Sequence, residues 1–151
     1  MKKRLNRYNI SKNDFEIALE YLKELNQVKS NSYAFEALWM MGIISYYRPF
    51  TCNEKKRNSR AGSKIDLPIL TSEELKLHGI LGSIRNKIIA HSEIKTNPTS
   101  TNSLTGIIWR RRANIWDILQ EYKISKDNVI ALAQKMLRYS HNESATLAKI
   151  A

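Results

Sequence analysis

The chain predicts an all-α fold, a small up-and-down bundle of four to five helices. Three observations carry that prediction. Apolar residues recur at intervals of three and four over most of the 151 residues, the repeat of a helix with one buried face. Helix-start signals, a small polar residue followed three positions later by an acidic one, precede two of these stretches. The breaks between them are rich in Asn, Ser, Thr, Gly and Pro. No repeat and no second zone of composition is present, so residues 1–151 read as one domain, long enough to enclose a core.

The elements follow in order. Ser11-Lys12-Asn13-Asp14 resembles a capping box, and Phe15, Ala18, Leu19, Leu22 and Leu25 then recur at helical spacing, which places a first helix at about 13–29. Ser30-Asn31-Ser32 is a break and a cap. A second helix runs over about 33–48 until Pro49 stops it, and because it is apolar nearly all round it is expected at the centre of the bundle. Residues 51–66, with Lys55, Lys56, Arg57, Arg60 and Lys64, read as an exposed basic loop. Thr71-Ser72-Glu73-Glu74 is a second capping box. It opens a third helix to about Ala90, with Leu77, Leu81, Ile84 and Ile88 as its core stripe and Gly79 and Gly82 in its interior. Residues 92–103 read as a loop and 104–109 as a short extended segment. Ser125-Lys126-Asp127-Asn128 starts a fourth helix, with Val129, Leu132, Ala133, Met136 and Leu137 on one face, that ends near His141 or frays beyond it.

Charge narrows the partners. Lys and Arg total 25 against 14 Asp and Glu, a net charge of +11, and the isoelectric point is about 9.8. Such an excess favours a polyanion, nucleic acid before an anionic membrane surface or an acidic protein. Cys52 is the only cysteine, so no internal disulfide forms, no Cys/His set has zinc spacing, and a reducing cytoplasm is the expected compartment. The basic start lacks the apolar run of a signal peptide. The longest apolar stretch, Leu38–Tyr47, falls well short of the roughly 20 residues that cross a bilayer. No membrane association is expected.

One segment carries chemistry. Arg85-Asn86-Lys87-Ile88-Ile89-Ala90-His91, followed by Ser92, sets a permanent cation, an amide and an imidazole at the end of an apolar helix. Cleavage of RNA by its own 2′-hydroxyl needs a base, an acid and positive charge on the developing phosphorane. Histidine titrates in the right range for proton transfer, and arginine forks onto phosphate oxygens. No cofactor and no metal is required. On a straight helix, six residues turn through about 600° and rise about 9 Å, which leaves Arg85 and His91 about 120° apart. They converge only if the helix ends or bends near Ala90. A single histidine is few for a reaction with both acid and base, so a two-fold dimer that faces the two third-helix ends is expected to pool two Arg and two His. Gly79 and Gly82 either line such an interface or are tolerated weaknesses of the helix.

This pattern, Arg-Asn-x4-His at the end of the third helix of a small all-α domain, resembles the HEPN superfamily, whose signature is Arg, a polar residue, four to five further residues, then His. The wording Arg85-Asn86-Lys87-Ile88-Ile89-Ala90-His91-Ser92 is especially similar to HEPN proteins of prokaryotic abortive-infection and toxin–antitoxin systems. Tyr46-Tyr47-Arg48-Pro49-Phe50 also looks like a segment of that subgroup. The resemblance implies a metal-independent, dimeric endoribonuclease in which Arg85 and His91 are catalytic and Asn86 assists. It implies further that Arg48 helps to bind phosphate, and that an antitoxin protein is a candidate partner. Lys87 adjoins the motif as a further RNA-contacting cation. The subgroup commonly has an acidic residue after Ala-His-Ser, which Glu93 supplies in a longer form, and residues 104–122 have no place on the family pattern.

Outside the motif, Arg110, Arg111 and Arg112 lie between Trp109 and Trp116, a combination that binds RNA by charge and stacking or else packs its tryptophans into the core. His78 and His141 read as surface residues and Cys52 as inert. Two other functions remain open: a non-catalytic module of the same fold that binds nucleic acid or a partner, and a basic helical DNA-binding protein with residues 71–90 as part of a helix-turn-helix.

Overall fold

The structure, a computed structural model, describes residues 2–30, 32–51, 64–86, 99–101, 108–110 and 115–150, the segments 99–101 and 108–110 by their backbone. It is an all-α bundle: α1 (Lys2–Glu24), α2 (Tyr33–Tyr47), α3 (Ser72–Ser83), α4 (Ile115–Glu121) and α5 (Lys126–Ile150). Two three-residue strands, β1 (Thr99–Thr101) and β2 (Ile108–Arg110), pair antiparallel, with Ser100 opposite Trp109. The extended segment expected at 104–109 thus survives at its C-terminal end as β2. Its partner β1 falls in a stretch expected to be loop.

Helix α1 is longer than its sequence pattern. The capping signal at Ser11 is not a cap: Ser11 Oγ donates to the Arg7 carbonyl 2.8 Å away, a bond back to the preceding turn inside a continuous helix. Asp14, the acidic member of the supposed box, faces α2 instead and pairs with Arg48. The helix buries Tyr8, Ser11, Phe15, Ala18, Leu19 and Leu22 along one stripe and ends at Glu24, before the expected 29.

Helix α2 follows the expectation closely. Ser32 caps it, its side chain accepting from the Phe35 amide at 3.1 Å. At the other end Pro49 sits inside a 3₁₀ turn, Arg48–Phe50. Helix α2 touches α1, α3 and α4 among the described residues, the central place its all-round apolar surface predicts. Among the described residues α1 packs along both α5 and α2, while Tyr33 and Met41 leave one edge of α2 at the surface. Gly42 sets the α1–α2 separation: a Cβ there would stand 3.1 Å from Leu22 Cγ and Cδ2. Contacts run in opposite directions along each neighbouring pair. Asp14 meets Arg48 while Leu22 meets Gly42, and Tyr8 meets Tyr139 while Asn26 meets Lys126.

The core joins Phe15, Leu22, Trp39, Ile43 and Tyr46 with Leu81, Ile84, Ile115, Leu119, Leu132 and Met136. Helix α4 was not expected as a helix. It buries Ile115, Ile118 and Leu119, and half-buried Trp116 packs edge-on against Phe35 at 5.5 Å. Helix α5 continues to Ile150 rather than ending near His141, because Ser140 and Ser144 extend its buried row in step with the first turns of α1.

Candidate functional site

The site is built from the far end of α3. Its start is pinned twice. Thr71 Oγ1 accepts from the Glu74 amide at 3.2 Å, and Glu74 Oε2 accepts from the Thr71 amide at 2.8 Å, the expected capping box. The same oxygen accepts from Lys135 Nζ at 2.7 Å and ties α3 to α5. These bonds hold the Glu74 carboxyl below its ordinary range, Lys135 contributing most. Leu81 and Ile84 then bury fully, as the stripe predicts.

Regular α-helical bonding stops at Ser83. Residues 84–86 form a wider, π-type turn, and the Ile84 amide is shared between the carbonyls of Ile80 and Leu81. Wider turns of this kind are enriched at functional sites. Arg85 and Asn86 sit in this turn. Arg85 is half-buried and Asn86 exposed. Arg85 Nη1 donates to Asn86 Oδ1 at 2.8 Å. The guanidinium is thereby steadied by its neighbour, and among the described residues most of its five N–H donors remain for an anion. Asn86 spends its carbonyl on Arg85 and keeps its amide N–H₂ as a donor.

Arg48 lies elsewhere. It begins the 3₁₀ turn after α2, and its Nη1 donates to Asp14 Oδ1 of α1 at 2.9 Å. The side chain of Asp14 is 4% exposed and that of Arg48 41%. Burial pushes the Asp14 carboxyl above its ordinary range, an effect that Arg48 and then Arg7 oppose. Arg7 Nη2 donates to the carbonyls of Arg48 and Pro49 at 3.0 and 2.9 Å, closing the end of α2. Among the described residues no hydrogen bond or ion pair joins Arg48 to Arg85 or Asn86. The expected phosphate ligand is thus already paired with a buried carboxylate.

Lys87, His91, Arg111 and Arg112 lie outside the described residues, as do Lys55, Lys56, Arg57, Arg60, Cys52 and the expected helix end at Ala90. Arg110 is placed by its backbone in β2, opposite Thr99.

His78 is a correction. Read as a surface residue, it is 7% exposed and stands in an aromatic cluster on α3, one turn before Gly82. Its Nδ1 lies 2.8 Å from Tyr46 Oη. Its ring stacks on Tyr47 at 5.0 Å and meets Phe50 edge-on at 4.7 Å. Burial lowers the His78 pKa and raises that of the Tyr46 phenol, so we assign Tyr46 O–H as donor to a neutral imidazole. The signal was present in the sequence: His78 lies three residues before Leu81 and one after Leu77, on the edge of the core stripe, and Tyr46, Tyr47 and Phe50 are a run of aromatics awaiting a partner. His141 is exposed as expected.

A separate groove of about 450 Å³ lies between the first half of α3 and the α4–α5 connection, lined by Leu77, Ile80, Tyr122, Ile124 and Leu132 among others. None of Arg48, Arg85 and Asn86 lines it. Among the described residues, no group of three or more His, Cys, Asp or Glu is placed to hold a metal ion, and no helix is long and apolar enough to cross a membrane.

Comparison with protein-family models finds no match. Neither the curated proteins nor the solved structures contain a significant match to the chain.

Proposed function

We propose that this chain is an endoribonuclease of HEPN type that cuts RNA through attack of the 2′-hydroxyl, leaving a 2′,3′-cyclic phosphate, and that it serves as a toxin or antiviral effector in the cytoplasm. The observation that carries the reading is the Arg85–Asn86 pair, held together at 2.8 Å in the π-type turn that follows Ser83, at the head of a segment worded like the HEPN motif. Arg85 supplies the fork of donors that stabilises charge on the phosphorane, Asn86 steadies it, and His91 moves the protons. RNA is the partner that the net charge of +11 favours.

A homodimer with the two α3 ends facing each other completes the set of groups, and an antitoxin protein is a natural ligand for the same face. The glycines bear on this unequally. Among the described residues a Cβ at Gly79 would meet nothing within 4 Å, which favours Gly79 as the position open to a second chain, whereas Gly82 is covered by Tyr47 of its own chain.

The test is incubation of the purified protein with total RNA and a chelator, beside Arg85→Ala and His91→Ala. The reading expects cleavage by the parent and a loss of about a hundredfold or more in each variant. Undiminished cleavage in both variants, or a need for divalent metal, rejects it. A monomer by sedimentation at micromolar concentration rejects the dimer.

A further inference from the structure

We infer that Tyr47 is a positioning residue for the Arg85–Asn86 site, a tooth of α2 seated in a notch of α3; the inference rests on the ribonuclease reading for its kinetic consequence but not for its structural one. The Tyr47 ring lies over two positions one turn apart on α3. It stacks on His78, 5.0 Å between centroids with an interplanar angle of 27°. It then crosses Gly82, where a Cβ would stand 2.4 Å from the phenol oxygen, 2.5 Å from Cζ and 2.8 Å from Cε2. No side chain but hydrogen fits beneath it. The neighbouring Tyr46 hydroxyl bonds to His78 Nδ1 at 2.8 Å, so α3 is gripped at the same turn from a second direction.

The place of the notch gives it meaning. Gly82 is the last residue but one of regular α3, and Arg85 follows three residues later, in the π-type turn. Beyond Gly82 the helix has no second grip of this kind on α2 among the described residues. Together with Ile84, buried in the core one residue before Arg85, the depth to which Tyr47 sinks into the notch sets how far the Arg85–Asn86 end stands from α2. A glycine inside a helix is less favourable than alanine; its presence under an aromatic ring is accounted for by the approach it permits. Displacing a charge-stabilising group by about 1 Å is enough to lower turnover by about a hundredfold, with little effect on ground-state binding.

The experiment compares Tyr47→Phe, Tyr47→Leu, Gly82→Ala and the double variant Gly82→Ala/Tyr47→Leu with the parent. It measures kcat and KM for RNA cleavage and hydrogen exchange of the residue 84–86 amides. Tyr47→Phe keeps the ring and is expected to retain activity within about threefold. Tyr47→Leu and Gly82→Ala are expected to lower kcat about tenfold or more at nearly constant KM and to speed exchange at 84–86. The double variant, whose leucine lacks the clashing atoms, is expected to recover part of the loss seen in Gly82→Ala. Folded single variants with parental kcat and parental exchange overturn the inference. If the parent cleaves no RNA the function reading falls, and the exchange data alone decide the inference: faster exchange at 84–86 in Tyr47→Leu supports it, unchanged exchange overturns it. Should Gly82→Ala fail to fold, Tyr47→Leu and the double variant carry the same decision.

Discussion

Replacing Arg48 by alanine separates its two roles, anchor of α1 and candidate phosphate ligand. The variant leaves Asp14 buried, its side chain 4% exposed, with Oδ1 stripped of its 2.9 Å partner and Oδ2 already without a hydrogen bond among the described residues. Removing one member of a fully buried pair costs about 3–5 kcal/mol, whereas an exposed pair is worth about 0–1 kcal/mol. Arg48 is 41% exposed, so water screens one side of the pair and the expected loss is about 2 kcal/mol at neutral pH. The loss is also pH-dependent. Burial already raises the Asp14 pKa in the folded protein, and without Arg48 the opposing cation is gone and the rise is larger. A carboxyl whose folded pKa is raised favours folding below its unfolded pKa and loses that contribution as pH rises through the folded value. The difference in stability between parent and Arg48→Ala should therefore narrow on acidification from about pH 7.5 to about pH 5. Urea unfolding followed by tryptophan fluorescence at both pH values measures it. A variant as stable as the parent, or a difference that widens at acid pH, refutes the argument.

Three further outcomes follow from the same geometry. Gly42→Ala should cost about 1–3 kcal/mol in thermal or urea unfolding, because its Cβ lands 3.1 Å from Leu22, and Leu22→Val should offset part of that cost. His78 has a folded pKa depressed by burial, so its contribution to stability is full above the unfolded value of 6.5 and is lost as pH falls; the stability of His78→Leu should vary less between neutral and mildly acid pH than that of the parent. Ser11→Ala should change stability by less than about 0.5 kcal/mol, since the bond to Arg7 is made within the helix, whereas a true N-cap would lose about 1 kcal/mol.

The parts of the fold that local text specifies were the legible ones. Ser32 before Tyr33, Pro49 after Arg48 and the Thr71/Glu74 box act through neighbours within four residues, and each does what its spacing predicts. Ser11 misled because a serine hydroxyl serves an N-cap and an i−4 carbonyl equally well, and the choice is made by distant packing: Tyr8 against Tyr139, and Arg7 against the carbonyls that end α2. The same long-range contact extends α5, where Ser140 and Ser144 are buried without being apolar. Helix α4 is too short for its apolar spacing to show a helical period. At the candidate site, Arg85 and Asn86 were legible as a pair of adjacent polar residues after an apolar stripe. Their mutual hydrogen bond and the widened turn were not, because neither has a sequence signal. The Arg48–Asp14 pair spans 34 positions and no local pattern announces it.

The central claim is the 2′-hydroxyl mechanism with Arg85 as its cation, and the ends of the RNA fragments test it most directly. Fragments produced in the presence of chelator should carry a 2′,3′-cyclic phosphate and a 5′-hydroxyl, and Arg85→Ala should produce about a hundredfold fewer of them. Fragments with a 5′-phosphate and a 3′-hydroxyl, or cyclic ends formed equally well by Arg85→Ala, would contradict it.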